Sequence, residues 1–282
     1  MASISAADVK ALRESTGAGM MDCKKVLSEA DGDPAKALEL LRERGLSKAG
    51  KRAGRETSEG AIAIAISGKT AAMIELGCET DFVAKTDDFQ ALAQNIAEAI
   101  AADSSVETTE QALEISMGDE KIGACITTAA ATMGENIGLK RLSKTISESV
   151  VGSYIHGGGR LGVVVALAGA EGDFGGVARD IAMHVAAVDP TPIAIDRTGV
   201  ASDLVESEKN ILRNQALQSG KPENIVEKIV EGRINKFYAE NCLLEQPFVK
   251  DPDISVTKMV AAVNGDLTVS SFTRFKLGEA NQ

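Results

Sequence analysis

The sequence predicts an α+β protein: an N-terminal three-helix bundle, a core of two repeated small antiparallel sheet-plus-helix subdomains, and an inserted helical hairpin. Three observations predict it. Apolar residues recur at helical spacing from Val9 to Leu41, and from Ala61 the pattern changes to short alternating or continuous apolar runs separated by glycine turns. A unit of strand, turn, strand and helix then returns with a fixed offset: Asp88-Phe89 falls on Asp173-Phe174, Ala93 on Ala178, Ile96 on Ile181, Ala97 on Ala182 and Ala101-Ala102 on Ala186-Ala187. Finally, the amphipathic segments Val200 to Ser219 and Asn224 to Asn241 are joined by Gly220-Lys221-Pro222, the pattern of an antiparallel helical hairpin. The expected division is 1–54 for the bundle and a linker, 55–145 for the first core subdomain, 146–189 and 242–282 for the second, and 190–241 for the hairpin, an arm suited to a homodimer contact.

In order, Ser5 caps a first helix with Asp8 three residues on, and Thr16-Gly17-Ala18-Gly19 stops it. A second helix runs from Met20 to about Ala30. After the Asp31-Gly32 turn, Asp33 caps and Pro34 opens a third, with Ala37, Leu38 and Leu41 inward and Gly45 at its end. Leu46 to Gly60 carries Lys48, Lys51, Arg52 and Arg55 without an apolar stripe and reads as a partly helical linker. Ala61 to Ile66, the Gly68-Lys69 turn and Thr70 to Cys78 form a hairpin, followed by a loop and a helix from Asp87 to Ala102 with an Asp87/Gln90 capping box. Thr108 to Met133 reads as mostly helical, and Gly134 to Leu142 leads into a strand running towards Tyr154. The second copy follows, with a Gly157-Gly158-Gly159 turn. In the arm, Leu204, Ile211, Leu212 and Ala216 are expected to face Ile225, Ile229, Ile234 and Phe237. Gln246-Pro247-Phe248-Val249 is extended, Ser255 caps a short helix through Ala262, and Leu267 to Leu277 returns as a strand to the second sheet.

Composition narrows the function. The 282 residues are 44% hydrophobic and 25% charged, values of an ordinary soluble protein. Thirty Lys plus Arg against 41 Asp plus Glu leave a formal charge of -11, which repels phosphate backbones and makes nucleic acid an unfavoured main partner. Met1 to Glu14 has no apolar signal region, and the longest nonpolar run, Leu161 to Ala170, is too short to span a bilayer, so no membrane role and a cytoplasmic setting are expected. Cys23, Cys78, Cys125 and Cys242 stand apart with no metal or redox spacing, and no cofactor is expected.

The stretch with the most functional content is Thr80-Asp81-Phe82-Val83-Ala84-Lys85, between a buried strand and a helix. It sets an aromatic ring beside a carboxylate in a chain with only 3% aromatic residues. Phe82 either fills its own core or waits for a partner. The second copy makes the same connection with the short Gly169-Ala170-Glu171-Gly172, so packing alone does not require the extra residues. Met20 and Met21 point about 100° apart on a helix, which a small bundle cannot easily bury, and mark a second contact corner.

The order of parts resembles the elongation factor Ts family. The residues that carry the resemblance are Thr16-Gly17-Ala18-Gly19-Met20-Met21-Asp22-Cys23-Lys24-Lys25, Thr80-Asp81-Phe82-Val83-Ala84-Lys85, Gly134-Glu135-Asn136-Ile137, Ile181-Ala182-Met183-His184-Val185-Ala186-Ala187, Gln218-Ser219-Gly220-Lys221-Pro222 and Gln246-Pro247-Phe248-Val249. The resemblance implies a guanine-nucleotide exchange factor for elongation factor Tu, without catalytic chemistry, whose N-terminal bundle is of the ubiquitin-associated type. It implies that Asp81 and Phe82 enter the partner near its Mg²⁺, with Thr80 and Val83 shaping the loop. Arg13, Met20 and Met21 match the family's N-terminal contact surface, Lys24 and Lys51 being weaker matches, and His156 and Val249 match contacts with the partner's distal domain. The chain departs from the family in stopping soon after Phe275-Lys276-Leu277-Gly278-Glu279, where many members continue into a helical module, and in a longer Ala102 to Met133 segment.

Other classes stay in view. A ubiquitin-like-binding adaptor would need the bundle but neither the doubled core nor the loop. An enzyme would pair His156 or His184 with a cysteine, without any local nucleophile–base–orienter pattern. A Mg²⁺ site of Asp81, Asp87 and Asp88 lacks a calcium-loop type of spacing.

Overall fold

The computed structural model describes residues 4–16, 18–52, 54–220 and 222–279, without the side chains of 46–49, 51, 223 and 224. The fold is α+β, as expected. Helices α1 (Ala6–Thr16), α2 (Met20–Glu29) and α3 (Pro34–Arg52) form the bundle around Val9, Leu12, Cys23, Val26, Leu27, Ala30 and Ala37. Ser5 and Asp8 cap α1 reciprocally, the Asp8 N–H donating to Ser5 Oγ at 3.1 Å and the Ser5 N–H to Asp8 Oδ2 at 3.0 Å. Asp33 Oδ1 accepts from the N–H of Ala35 at 2.9 Å, and Pro34 opens α3.

Gly45 does not end α3, which continues to Arg52 through the stretch expected as a linker. The reason is tertiary: a Cβ at Gly45 would stand 2.7 Å from the Cβ of Ala131, so the glycine admits a neighbouring helix. That neighbour is α7 (Ile122–Met133).

Strands β1 (Glu59–Ser67) and β2 (Thr70–Cys78) form a hairpin on the two-residue turn Gly68-Lys69, with Gly68 at φ +59°. The connection after β2 is not a plain loop. It contains one helical turn, α4 (Asp81–Ala84), before α5 (Asp87–Ala102). Thr86 rather than Asp87 caps α5, accepting from the Phe89 N–H at 3.3 Å, while the Gln90 amide donates to Ala84 O at 2.6 Å. Beyond α5, the segment expected to be mostly helical has α6 (Thr109–Leu113), a tight hairpin of β3 (Ser116–Met117) and β4 (Glu120–Lys121), and then α7.

The single strand expected towards Tyr154 is two strands in different sheets. β5 (Gly138–Ile146) pairs with β2, whereas β6 (Val150–His156) pairs with β7 (Leu161–Ala168). Helix α8 (Gly175–Ala187) follows. The arm is α9 (Ser202–Gln218) and α10 (Glu223–Asn241), and the chain closes with β8 (Pro247–Phe248), β9 (Asp251–Ser255), α11 (Val256–Val263) and β10 (Thr268–Lys276). Ser255 caps α11, and β10 returns antiparallel to β7, both as expected.

The two sheets, β1-β2-β5 and β10-β7-β6, have the same connectivity and stack face to face between their helices. Side chains alternate along each strand. Ala61, Ala63, Ala72, Ile74 and Leu76 meet α5, while Ile62, Ile64, Ala71 and Met73 meet Val151, Val164, Ala166 and Phe275 of the second sheet. Both faces of β2 and β7 are therefore dry, which explains their near-continuous apolar runs. A Cβ at Gly162 would stand 2.6 Å from Ile62 Cγ2, so glycine permits this stacking. The repeat positions Ala93, Ile96 and Ala97 on α5 and Ala178, Ile181 and Ala182 on α8 are all fully buried.

In the arm, Val205, Leu212 and Ala216 pack against Val226, Val230 and Ile234. Leu204, Ile211 and Ile225, expected at that seam, are exposed. Apolar residues come in adjacent pairs here (Leu204-Val205, Ile211-Leu212, Ile225-Val226), so periodicity leaves the seam open by about 100°, and the partner helix selects one of each pair. Among the described residues, no helix is long and apolar enough to cross a membrane.

Candidate functional site

The turn at α4 is built from its anchors outward. β2 ends at Cys78 and α4 begins at Asp81, so the N–H groups of Glu79 and Thr80 have neither a strand nor a helix to receive them. Both donate to Glu135 Oε2 at 3.0 Å, and the Thr80 hydroxyl donates to Glu135 Oε1 at 2.5 Å. Thr80 then caps α4, its hydroxyl oxygen accepting from the Val83 N–H at 3.4 Å. The reverse bond comes from the neighbouring residue: the Asn136 N–H donates to Glu79 Oε1 at 2.7 Å, and Arg55 Nη1 lies 3.2 Å from Glu79 Oε2. The Asn136 N–H, and after it Arg55, hold the Glu79 carboxyl below its usual range. Cys78 beside them is inert: burial, then the Glu135 carboxylate, push its thiol up to about 12.

On this base Phe82 is 81% exposed, and Ala84 alone of the turn is buried. Asp81 is half-exposed, with Oδ2 2.6 Å from Lys85 Nζ. Hydrogen bonding and charge from Lys85 lower its pKa, so it is an anion at neutral pH. Val83 is half-buried against the first core.

The second hairpin reaches the same end of the first sheet. The Ile62 N–H donates to Gly159 O at 2.8 Å, and Arg160 pairs with Glu59 at 3.4 Å. His156 is exposed as the last residue of β6, its Nδ1 3.1 Å from the Tyr154 hydroxyl. On the bundle, Arg13, Met20, Met21 and Lys24 are all exposed, Met20 at 55% and Met21 at 75%, so neither methionine fills the core. The Lys51 side chain lies outside the described residues.

Val249 is held out from a buried knot. The His184 Nε2–H faces Gln246 Oε1 at 3.0 Å, its Nδ1 accepts the Val249 N–H at 3.1 Å, and the Gln246 amide donates to Pro190 O and Glu240 O. His184 is therefore a neutral structural imidazole, not a base for a cysteine. Burial, against a smaller opposing effect of the Gln246 bond, lowers its pKa from 6.5. With the folded pKa below the unfolded one, the stability that the neutral ring contributes is full above pH 6.5 and lost as pH falls below it. We expect the melting temperature to fall steadily from pH 7 to pH 5, and the slope to flatten in His184→Gln; thermal melts across that range check it.

The chain as a whole can be compared with known proteins. The family model described as elongation factor TS matches residues 79–279. Elongation factor Ts of Clostridium botulinum (strain 657 / Type Ba4) is 48% identical over 288 aligned residues, covering 98% of this chain and 93% of the relative. The chain belongs to the elongation factor Ts family. Elongation factor Ts of Prosthecochloris aestuarii is 47% identical over 290 residues, covering 99% of this chain and all of the relative, and that of Clostridium acetobutylicum is 46% identical over 287.

Within this elongation factor Ts fold, the structure joins the Thr80–Val83 turn to its anchors, while Arg160 and Glu59 tie β1 to the hairpin carrying His156. It does not join Val249 to them by any described hydrogen bond. Glu79, Glu135 and Tyr154 were not singled out by sequence reasoning. Gly134-Glu135-Asn136-Ile137 was visible as a motif, yet its carboxylate has no legible role until the fold sets it 55 residues from Thr80 in sequence but in contact with it. Among the described residues, no three His, Cys, Asp or Glu side chains are grouped as metal ligands, Asp81, Asp87 and Asp88 included.

Proposed function

We propose that the protein is the guanine-nucleotide exchange factor of elongation factor Tu, promoting GDP release by pushing apart the elements that hold Mg²⁺ and nucleotide. The observation that carries this reading is Phe82, 81% exposed on a hydrogen-bonded turn that the second repeat lacks. A phenyl ring held in water gains burial on docking, and as a wedge it gains that burial by separating a partner's surfaces. The Asp81 carboxylate, delivered beside it, disfavours the arrangement of metal and water that favours GDP.

No bond is made or broken. A factor that binds the nucleotide-free partner more tightly than the GDP-bound one must lower GDP affinity by the same ratio. Thr80 and Val83 shape the turn, Arg13, Met20, Met21 and Lys24 hold the partner at the bundle, and His156 and Val249 hold its distal domain. The domain division 1–54, 55–145, 146–189 with 242–282, and 190–241 fits these separate contacts, the arm being left for a second copy of the chain.

The test is release of fluorescent GDP from elongation factor Tu, with copurification of the two proteins and dissolution of the complex by added GDP. Unchanged release would end the reading, and capture of ubiquitin-like proteins alone would favour an adaptor. Met20→Ala with Met21→Ala is expected to weaken the complex about tenfold, each side chain being worth roughly 1 kcal/mol or less at a contact rim. Circular dichroism should stay native, since both side chains are exposed in the free protein.

A further inference from the structure

We propose that Glu135 is the positioning residue of the Asp81–Phe82 turn: its carboxylate fixes the base of α4 so that the phenyl ring meets the partner in one orientation. The proposal rests on the exchange reading above and names the group through which the turn is held.

Glu135 receives three donors from two residues, the N–H groups of Glu79 and Thr80 and the Thr80 hydroxyl. Each is a hydrogen bond to a charged acceptor, the stronger kind. The carboxylate is aimed by its own element. Gly134 caps α7 in the left-handed region at φ +79°, its N–H returning to Ala130 O at 3.1 Å, and the reversal turns the following residues towards β2. Asn136 then adds the reciprocal bond to Glu79 and donates through Nδ2 to Arg55 O at 2.7 Å.

The second copy is the internal control. Its connection, Gly169 to Gly172, passes to α8 with the Ser149 hydroxyl donating to Ala170 O, and no carboxylate takes its backbone N–H groups among the described hydrogen bonds. The clamp is present in the copy that exposes an aromatic ring and absent from the copy that does not. The segment between α5 and β5 thereby has a task, since α7 ends where the clamp must start. An exposed ring on an unclamped turn would lose orientation on binding, and misplacement of a reacting or wedging group by about 1 Å is worth up to a hundredfold in rate.

The experiment is a mutant cycle read on GDP release at saturating factor. Glu135→Leu is expected to slow stimulated release about tenfold, and in a Phe82→Ala background it should change release by less than about twofold, because both act through one ring. Glu135→Gln should retain activity to within about threefold: its carbonyl oxygen can take both N–H groups while its amide donates to the Thr80 hydroxyl. The chain has no tryptophan, so Phe82→Trp gives a local reporter whose anisotropy should drop when Glu135→Leu is added. Losses that multiply, full activity in Glu135→Leu beside an impaired Phe82→Ala, or a lost circular dichroism spectrum in Glu135→Leu would each overturn the positioning role. Should Phe82→Ala prove inert, the wedge reading falls, and the anisotropy alone decides whether Glu135 holds the turn.

Discussion

Phe82→Ala is expected to slow stimulated GDP release from elongation factor Tu by about ten- to a hundredfold and to leave the melting temperature within about 1 °C of the parent. The two halves of that result have separate causes. Burying a phenylalanine side chain is worth about 1.5–3 kcal/mol, or one to two powers of ten in affinity. Here the ring is 81% exposed in the free protein, so that free energy is available only in the complex. Truncation removes no contact on which the fold depends, and surface changes of this kind stay within about 0.5 kcal/mol. The distinction between rate and affinity carries the mechanism. If the ring wedges, release at saturating factor falls; if it merely adds contact area to both nucleotide states equally, only the concentration needed changes. Stopped-flow release across a factor titration separates the two, and an unaltered plateau would remove the wedge.

Arg141→Ala is expected to lower stability by about 3–5 kcal/mol, the cost of leaving one member of a buried ion pair alone, and the melting temperature by on the order of 10 °C. Glu75 on β2 and Arg141 on β5 are direct cross-strand neighbours, their side chains 12% and 10% exposed and 2.7 Å apart at Nη2. The same guanidinium donates to Lys276 O at 2.9 Å and lies 4.1 Å above the Phe275 ring. One residue thereby joins the edge of the first sheet to the last strand of the second. Removing it strands the Glu75 carboxylate between two dry sheets. Glu75→Met with Arg141→Met should recover at least half of the loss, because apolar isosteres of buried pairs are close to neutral. Thermal melts of the single and double variants decide it; a single variant that melts with the parent would mean that water reaches the pair.

What was legible in the sequence depended on whether the deciding neighbours were close along the chain. Ser5, Asp33 and Ser255 cap the helices they were expected to cap, because a cap needs only residues two or three positions away. The Thr86 cap was missed because Asp87 offered an equally good local signal, and Phe89 had to be buried before the start of α5 was decided. Gly45 carries the local signal of a stop, since nothing within α3 requires a glycine there; the close approach of Ala131 of α7 does. Likewise Gly138 to His156 has strand character throughout, and its break at Ser147-Glu148-Ser149 exists because the two parts belong to opposite sheets.

The candidate site divides along the same line. Composition, the repeat and its one unequal connection already marked Asp81 and Phe82 as residues the core could spare, because alternation and periodicity are properties of contiguous chain. Whether Phe82 faces water, whether both methionines do, and which carboxylate holds Thr80 all depend on side chains brought from 50 or more residues away. Those choices are made by stacking and by hydrogen-bond satisfaction between distant segments, which no local pattern records. The elements were therefore written in the order of the amino acids, and the exposed ring and its Glu135 clamp came into being only when α7 closed on the end of β2.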